Sequence, residues 1–473
     1  MKLFGWKNNS FKLFGVSVIR FQIRNGSVVL RLLDIPVWKK KTELAELIWK
    51  IKENKSFDTR EFDKEISLLC PETDDVKSPV HKKRIAYLAT QLCDAGGHTK
   101  CVREQVKCLK DSYEQQIFFT EISRSYKLAS SAMAEMADAA ALSGEDISFV
   151  GWKKKLLRLF NKIADFNPSV LFVFIHPGDI FGTMVLPLLK KHTDIKILYC
   201  SHASHYPNLG VSFADATLEA LPTTAFITQY YRHFDRTVFV PMMSKKAEDF
   251  PSFSDEDIAA ERKKIGIGEN DLCTMSGAAA YKFFDGETSE YFRTIKELLE
   301  RNLNVTHVIL SHFDNAQQNI IDKIFADSEA KKRLIILPFS TKYELFFKCA
   351  DVFIDSFPVS SALTMMDLMR LKVPYVVKIN RENAHWSFHE YQSPDYPYMF
   401  EKADDLLKGV EKLLSDKAER ARIVEANFNH YMSAFEGNSV KKRLCNIIDN
   451  ADDLKRFYSG KINGNYQFKE LGL

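Results

Sequence analysis

The sequence has 473 residues, of which 45% are hydrophobic and 12% aromatic, enough for two or three domains with buried cores. The net charge of +4 is small, so the composition does not imply a nucleic-acid partner. The eight cysteines lack a Cys-x-x-Cys pair or a zinc-type Cys/His cluster, which predicts reduced thiols and no metal site. No apolar run reaches the ~18 residues of a membrane span, and the first residues lack the apolar core of a signal peptide. We therefore expect a cytoplasmic protein.

Residues 1–41 differ in composition from the rest of the chain, with nine Lys or Arg residues against the acid Asp34. Alternating apolar residues over 16–23 and the pair Asn25-Gly26 predict a β-hairpin. The basic residues and the interleaved aromatics fit two interpretations: a patch that binds an anionic membrane surface, or an edge hairpin whose charges prevent aggregation. A predicted helical region over 42–66 completes an N-terminal extension of residues 1–80.

Strands and helices alternate over residues 81–240 and again over 241–430, which predicts an α/β protein with parallel sheets covered by helices. The strands predicted in the first segment are 84–90, 116–120, 170–175, 195–200, 225–228 and 238–240. Those predicted in the second segment are 272–275, 306–310, 334–337, 352–354 and 375–377. Residues 431–473 are expected to form a C-terminal helix and tail. The architecture inferred is two Rossmann-like domains facing across a cleft.

The pattern of residues 350–377 predicts a strand, a loop, a helix and a second strand. The start of the predicted helix indicates an anion site. A helix entered through serine and threonine presents free N–H groups and the positive end of its dipole, which suits a phosphate. Asp367 lies one turn inside that helix, close enough to reach a sugar hydroxyl beside the phosphate. The alternative is an ordinary βαβ unit, because helix caps use the same residue types.

Open α/β sheets bind ligands beyond the carboxyl ends of their strands, and polar residues cluster at those ends in both segments. In the first segment the candidates are Gly97, His98, His176, Asp179, His202, His205 and Tyr206. In the second they are Lys282, Ser360, Ser361, Thr364 and Asp367. The first segment thus offers titratable groups, and the second offers a cation and a helix start that suits a phosphate. This division fits a group transfer in which a nucleotide leaves one domain and an acceptor is deprotonated at the other.

Several of these residues also have a purely structural interpretation. His98 could cap a helix, although the glycines before it permit close approach of a ligand, and Lys282 could be a surface lysine. His202 and His205 could be a metal pair, but no third ligand follows at suitable spacing. The first strand of neither half is followed by Gly-x-Gly-x-x-Gly, and the P-loop and Gly-x-Ser-x-Gly patterns are absent. These absences argue against dinucleotide dehydrogenases, P-loop enzymes and α/β-hydrolases.

The segment 355–374 resembles the phosphate-binding strand–loop–helix of GT-B glycosyltransferases, in the group of the O-GlcNAc transferases and bacterial N-glucosyltransferases. Tyr281-Lys282 resembles that group's Tyr-Lys pair, and Gly97-His98-Thr99 resembles its loop after the first strand. The resemblance implies that Lys282 neutralises the leaving diphosphate and that Thr364 contacts it. It further implies that Asp367 holds the ribose and that His98 lies beside the transferred sugar as a candidate base.

The chain departs from that group in ways that bear on the contacts with the donor's base or sugar and on the acceptor. Ser361-Ala362-Leu363-Thr364 stands where the group has Gly-His-Thr-Thr, Lys372 replaces a glycine, and no TPR-like repeats precede the body. A basic hairpin followed by a GT-B body also resembles transferases of bacterial capsule or lipopolysaccharide synthesis. Together these resemblances imply metal-independent transfer from a nucleotide sugar, UDP-linked, to a glycan or lipid-linked acceptor.

The candidate catalytic residues are His98, His176 and Asp179, and the candidate acceptor contacts are His202, His205 and Tyr206. The Glu-x7-Glu pattern of many retaining GT-B enzymes is absent near 355–370, which favours inversion. No metal or other cofactor is expected. Three alternatives remain open: a protein O- or N-glycosyltransferase, a nucleotide-sugar epimerase, and a non-catalytic GT-B scaffold.

Overall fold

A computed structural model describes most of the chain, which divides into two units. Unit 1 comprises Met1–Val240 and Lys441–Asn463, and unit 2 comprises Pro241–Val440. The description covers residues 42–466 and the backbone of five strands within 4–41, with residues 55, 93–96, 124, 126–129, 203–205, 243, 341, 388, 394 and 464–465 left out. Residues 97, 130–133 and 385 are described by their backbone alone.

An antiparallel sheet opens unit 1, with its five strands paired in chain order. The strands are β1 Phe4–Lys7, β2 Ser10–Leu13, β3 Val16–Arg24, β4 Ser27–Leu32 and β5 Ile35–Lys41. The predicted hairpin is confirmed, because Ile23 pairs with Val28 and Arg24 with Ser27. Its turn residues Asn25 and Gly26 lie outside the described residues. The other three strands were not predicted.

A seven-stranded parallel sheet forms the body of unit 1, in the order β12-β11-β10-β9-β6-β7-β8. Its strands are β6 His81–Ala89, β7 Glu114–Phe119, β8 Ala141–Gly144, β9 Pro168–Phe174, β10 Lys196–Cys200, β11 Ala216–Glu219 and β12 Thr237–Phe239. The strand predicted at 225–228 is wrong, because Pro222 begins a helix there and a π-helical turn follows. The true strand is β11, whose Thr217 and Glu219 interrupt the apolar pattern.

The helices of unit 1 cover both its sheet and the extension. They are α1 Glu43–Glu53, α2 Arg60–Leu69, α3 Gly97–Leu109, α4 Ser130–Ala137, α5 Trp152–Phe166, α6 Ile180–His192 and α7 Pro222–Phe226. The predicted long helix over about 125–142 is shorter, because β8 occupies its end. Leu44, Leu47 and Ile66 of the extension are buried in the same core as β6, β9 and α5. Helices α1 and α2 are therefore part of the core of unit 1.

Unit 2 contains a six-stranded parallel sheet in the order β15-β14-β13-β16-β17-β18. Its strands are β13 Leu272–Gly277, β14 Val305–Leu310, β15 Leu334–Leu337, β16 Val352–Ile354, β17 Tyr375–Lys378 and β18 Met399–Phe400. Its helices are α8 Asp255–Lys264, α9 Glu290–Arg301, α10 Asn315–Ile324, α11 Tyr343–Lys348, α12 Ala362–Arg370, α13 Ala403–Ser415 and α14 Lys417–Ala434. Helix α15, Gly437–Asp449, leads the chain back to unit 1. All five predicted strands are confirmed, and β18 was missed.

Both parallel sheets have the doubly wound strand order. In each, the first strand along the chain, β6 or β13, pairs with the second on one side and with the fourth on the other. The connections therefore diverge between β6 and β9 and between β13 and β16. Such a switch point opens a crevice at the carboxyl ends of the strands, where α/β proteins bind ligands.

Candidate functional site

The loop after β16 in unit 2 is organised around the buried carboxylate of Asp355, which is 0% exposed. Its Oδ2 accepts a hydrogen bond of 2.5 Å from Ser360 Oγ, and its Oδ1 accepts from Ser361 Oγ and, at 3.1 Å, from the Ser361 N–H. Burial raises the pKa of the Asp355 carboxyl, and the two serine hydroxyls act in the opposite direction. One carboxylate thus fixes the position of both serines.

Helix α12 begins directly after this loop. Ser361 is the residue at its N-cap, but the Ser361 hydroxyl donates to Asp355 and does not cap the helix. The first turn, which contains Thr364, is half-buried. The first N–H groups of a helix have no acceptor within the helix and lie at the positive end of its dipole, so this turn is suited to an anion.

Lys282 lies on the other side of the same switch point, in a 3₁₀ turn that follows β13. Its Nζ donates a hydrogen bond of 2.7 Å to the carbonyl of Ser360. Burial lowers the pKa of Lys282 to about 8, against the opposing effect of the Asp355 charge. The structure therefore brings together the predicted Lys282, Ser360 and Ser361 at the start of the helix that carries Thr364.

Asp367 does not join this group at the edge of the sheet. Its Oδ1 lies 2.8 Å from Nη2 of Arg370, and its side chain is only 6% exposed. Arg370 also pairs with Glu344, which pairs in turn with Lys245 at 2.8 Å. Asp367 is part of a largely buried ionic network that joins α12 to Glu344 of α11 and to Lys245, and its contact with a ribose stays a prediction.

Phe339 is a residue that the sequence analysis did not select. It follows the carboxyl end of β15, is 54% exposed, and stacks on Tyr343 with ring centroids 6.0 Å apart. The available signal was an aromatic residue placed directly after a predicted strand. An exposed ring at this edge can stack on a flat ligand group.

His98 of α3 is the central histidine of unit 1. Its Nε2 lies 2.7 Å from the carbonyl oxygen of Phe174, at the end of β9. Because a carbonyl only accepts, Nε2 carries the proton, and Nδ1 of the neutral ring holds the lone pair. Burial lowers the pKa of His98, although the hydrogen bond to Phe174 acts in the opposite direction. The neutral ring can accept a proton at Nδ1.

His202 lies beside His98, with ring centroids 4.5 Å apart. Its Nδ1 lies 3.1 Å from the carbonyl of Cys200, so the same argument assigns the proton to Nδ1. Tyr206 is half-buried, and its carbonyl accepts a 2.9 Å hydrogen bond from Arg232. His205 lies outside the described residues, and the predicted Gly97 is the first residue of α3.

Asp179 is a hydrogen-bonding centre for three connections. Its Oδ2 accepts from the hydroxyls of Thr90 at 2.6 Å and Thr120 at 2.7 Å, and its Oδ1 caps α6 through the Gly182 N–H at 2.8 Å. The carboxylate therefore joins the segments that follow β6, β7 and β9.

His176 has an exposed side chain in the segment after β9. Its N–H donates to the Thr90 hydroxyl at 2.8 Å, and its Nδ1 accepts from the Gly178 N–H at 3.2 Å. The structure thus brings His98 and His202 together, and it links His176 to Asp179 through Thr90.

Metal-ligand clusters and membrane-spanning helices are both absent from the described part of the chain. No group of three or more His, Cys, Asp and Glu residues there could hold a metal ion. Likewise, none of the helices described is long and apolar enough to cross a membrane.

No protein-family model and no curated protein matches the sequence, but solved structures match the fold. Anabaena HepE in complex with UDP and glucose has a TM-score of 0.61 at 12% identity, over 78% of this chain and 100% of its own. This chain has the GT-B fold. An O-GlcNAc transferase from Thermobaculum terrenum has a TM-score of 0.58 at 12% identity, over 88% and 77% of the two chains. The lipopolysaccharide outer core galactosyltransferase WaaB has a TM-score of 0.51 at 11% identity, over 78% and 99%.

The GT-B fold agrees with the predicted α/β class and with the resemblance found in the sequence. At identities of 11–12% the likeness establishes the fold alone. The activity depends on the residues of the site.

Proposed function

We propose that the protein is a glycosyltransferase that moves a sugar from a UDP-linked donor to a glycan or lipid-linked acceptor of bacterial surface polysaccharide. One observation carries the proposal: Lys282 and the start of α12 are held together at the switch point of unit 2 around the carboxylate of Asp355. A cation beside a helix N-terminus matches a diphosphate in charge and in hydrogen-bonding capacity.

The donor diphosphate would bind to Lys282, to the N–H groups of the first turn of α12 and to the hydroxyl of Thr364. When the bond between the anomeric carbon and the diphosphate oxygen breaks, the electron pair passes to that oxygen. The Lys282 ammonium and the helix dipole then stabilise the developing negative charge without a divalent ion. Support for uridine as the base comes from HepE, whose solved complex contains UDP.

Two further features of unit 2 support proposed roles on the donor side. Phe339 offers an exposed ring against which the nucleobase would stack. For Asp367 we propose a positioning role. Its carboxylate, which has little exposed surface, pairs with Arg370 of the same helix, and Arg370 in turn pairs with Glu344 of α11 and so ties α12 to that helix.

On the acceptor side, we assign the general base to Nδ1 of His98. The acceptor hydroxyl would lose its proton to this nitrogen while its oxygen attacks the anomeric carbon, so that a single displacement inverts the configuration. Once protonated, His98 would disfavour a second charge on His202, whose ring lies 4.5 Å away. His176, His202, His205 and Tyr206 are proposed acceptor contacts, and Asp179 positions the segment that carries His176.

Two observations support an acceptor of the bacterial surface. WaaB, which has the same fold, is a lipopolysaccharide galactosyltransferase. In the sheet of β1–β5, the register places Lys7, Ser10, Arg20 and Arg31 in one row across four strands. An anionic membrane surface attracts a segment with this excess of basic residues.

The proposal is tested by incubating the protein with UDP-glucose, UDP-galactose or UDP-N-acetylglucosamine and a lipid-linked glycan extract of bacterial envelopes. We expect UDP release and a mass increase of one sugar in the lipid fraction, both lost in Lys282→Ala. A sugar found on protein would favour the protein glycosyltransferase alternative, and an epimerised donor formed without acceptor would favour the epimerase. Absence of both nucleotide binding and turnover would favour the scaffold and contradict the proposal.

A further inference from the structure

A chain of hydrogen bonds runs through the core of unit 2 beneath the proposed donor site. Its members are Thr274, Ser276, Tyr291 and His307, each 0% exposed. Thr274 Oγ1 lies 2.8 Å from His307 Nδ1, and His307 Nε2 lies 2.9 Å from the hydroxyl of Tyr291. The Tyr291 hydroxyl lies 2.5 Å from Ser276 Oγ, which lies 2.6 Å from the carbonyl of Ile354.

The acceptor at the end of the chain fixes the direction of every bond. The carbonyl of Ile354 only accepts, so the Ser276 hydroxyl donates to it and accepts from Tyr291. The Tyr291 hydroxyl has one proton, so it must accept from Nε2–H of His307. Nδ1 of His307 then accepts from Thr274. Burial lowers the pKa of His307 to about 3, which agrees with the neutral ring that this order requires.

The chain ends at the base of the switch point. The ladder between β13 and β16 pairs Thr274 with Val352 and Met275 with Phe353. At the next position the bond from Ser276 to Ile354 connects the two strands through a side chain. Beyond it, β13 leads to Lys282 and β16 leads directly to Asp355. The last bond of the chain therefore joins the two strands from which the proposed diphosphate site is built.

Tyr291 makes a second contact with the same loop. Its ring packs edge to face on Phe357, with centroids 5.1 Å apart, two residues after Asp355. Every buried polar group needs a hydrogen-bond partner, because an unpaired one costs free energy. Apolar residues would fill the same space without this requirement. Because this series of hydrogen bonds lies at the base of the crevice, we expect it to contribute to ligand binding as well as to the packing of the core.

We propose that Thr274, His307, Tyr291 and Ser276 form a positioning network that fixes the spacing of β13 and β16 and thereby sets the affinity of unit 2 for a nucleoside diphosphate. The inference rests on the proposed function. It predicts that the effect of a substitution on binding grows as the substituted residue approaches Ile354.

The test is calorimetric titration of the 473-residue chain with UDP. We expect UDP to bind about tenfold more weakly to Ser276→Ala, roughly fivefold more weakly to Tyr291→Phe and about twofold more weakly to Thr274→Val. Ser276→Thr keeps the hydroxyl and should restore most of the affinity. The matched control is Tyr398→Phe, which removes a buried hydroxyl of the same unit that donates to Glu419 at 2.9 Å. It should lower the melting temperature without changing UDP affinity.

Each outcome decides the inference. Wild-type affinity in both Ser276→Ala and Tyr291→Phe would overturn it, as would an equal loss in Tyr398→Phe. If Tyr291→Phe does not fold, the pair Ser276→Ala and Ser276→Thr decides the question. Failure of the wild-type chain to bind UDP would overturn the proposed function and this inference together, whereas binding unaffected by the variants would overturn the inference alone.

Discussion

Two carboxylates organise the two candidate sites, and they do so from different distances along the chain. Asp355 in unit 2 accepts from Ser360 and Ser361, five and six residues away. Asp179 in unit 1 accepts from Thr90 and Thr120, 89 and 59 residues away. The first carboxylate shapes one loop, and the second ties together loops from separate strands.

The two sites also differ in the groups that they present. Unit 2 presents the ammonium of Lys282, the hydroxyl of Thr364 and the N–H groups at the start of α12, all of which can donate to an anion. Unit 1 presents imidazole rings, and the lone pair of His98 lies on Nδ1 because Nε2 donates to Phe174. On the proposed roles, the same strand-end architecture builds an anion site in unit 2 and a proton-accepting site in unit 1, and only the residues that follow the strands differ.

The largest effect should come from Lys282→Ala. Loss of the cation removes stabilisation of the leaving diphosphate, so we expect transfer from UDP-glucose, or from whichever donor proves active, to fall by about 10²–10³-fold. The control is Lys348→Ala, because Lys348 of the same unit also donates to a backbone carbonyl, that of Leu371 at 3.1 Å. Equal turnover in wild type and Lys282→Ala would remove Lys282 from the mechanism.

A smaller loss of turnover is expected in His98→Gln. Glutamine can still donate to the carbonyl of Phe174 but cannot accept the acceptor proton, so turnover should fall by about 100-fold. UDP affinity, measured by calorimetry, should stay unchanged because His98 belongs to unit 1. His192→Gln is the control, since His192 is a buried histidine of unit 1 paired with Asp75. A parallel fall in UDP affinity would show that His98 has a different role.

The affinity for UDP-glucose should depend on pH through Lys282. Its pKa is lowered by burial to about 8, so the free lysine is charged below this pH and neutral above it. We expect the affinity for UDP-glucose to be constant below about pH 7 and to fall by about tenfold for each pH unit above pH 8. Lys282→Arg stays charged and should give a flat profile; a wild-type profile that is flat to pH 9.5 would contradict the assignment.

The lowered pKa of Lys282 also affects the stability of the fold, but its contribution to stability rises with pH, whereas the affinity for UDP-glucose falls. Because the folded pKa lies below the unfolded value, the unfolded chain binds more protons between about pH 8 and 10.5. The contribution of Lys282 to the free energy of unfolding therefore rises with pH over this window. Denaturant titrations at two pH values would separate a loss of binding from a loss of folding.

The smallest effect should come from Thr364→Val, which removes one hydroxyl from the first turn of α12 and keeps the shape of the side chain. We expect UDP affinity to fall about tenfold, which is near the lower end of what one hydrogen bond to a charged group contributes. Thr294→Val is the control, since the Thr294 hydroxyl donates within α9 to Glu290. An unchanged affinity in Thr364→Val would assign the anion contact to the helix N–H groups alone.

The sequence predicted those parts of the fold that local pattern determines. Buried apolar runs such as 352–354 mark parallel strands, and helix starts and stops frame them, so both sheets of the body were largely predictable. β18 has two residues and β11 carries Thr217 and Glu219, so neither shows a strand pattern. Both strands are stabilised by their neighbours rather than by their own sequence.

The same distinction holds for the sites. The candidates of unit 2 lie in the loops and the helix start that come after β13 and β16, and this position along the chain was enough to group them; they are Lys282, Ser360, Ser361 and Thr364. Asp367 and Arg370 lie three residues apart on α12, a spacing at which side chains pair, so the sequence could have indicated this ion pair. The partners of Asp179 and the pairing of Arg370 with Glu344 depend instead on contacts between elements. The register of separate strands and the packing of helices determine such contacts, and one sequence does not show either.

The most direct test of the account is calorimetric titration of the chain with UDP, GDP, CMP and dTDP, with and without EDTA. We expect UDP to bind most tightly, with the same affinity in EDTA, and to bind much more weakly to Lys282→Ala. Binding of none of the four nucleotides, or UDP binding abolished by EDTA, would contradict the claim that Lys282 and the start of α12 form a metal-independent site for a nucleotide-sugar donor.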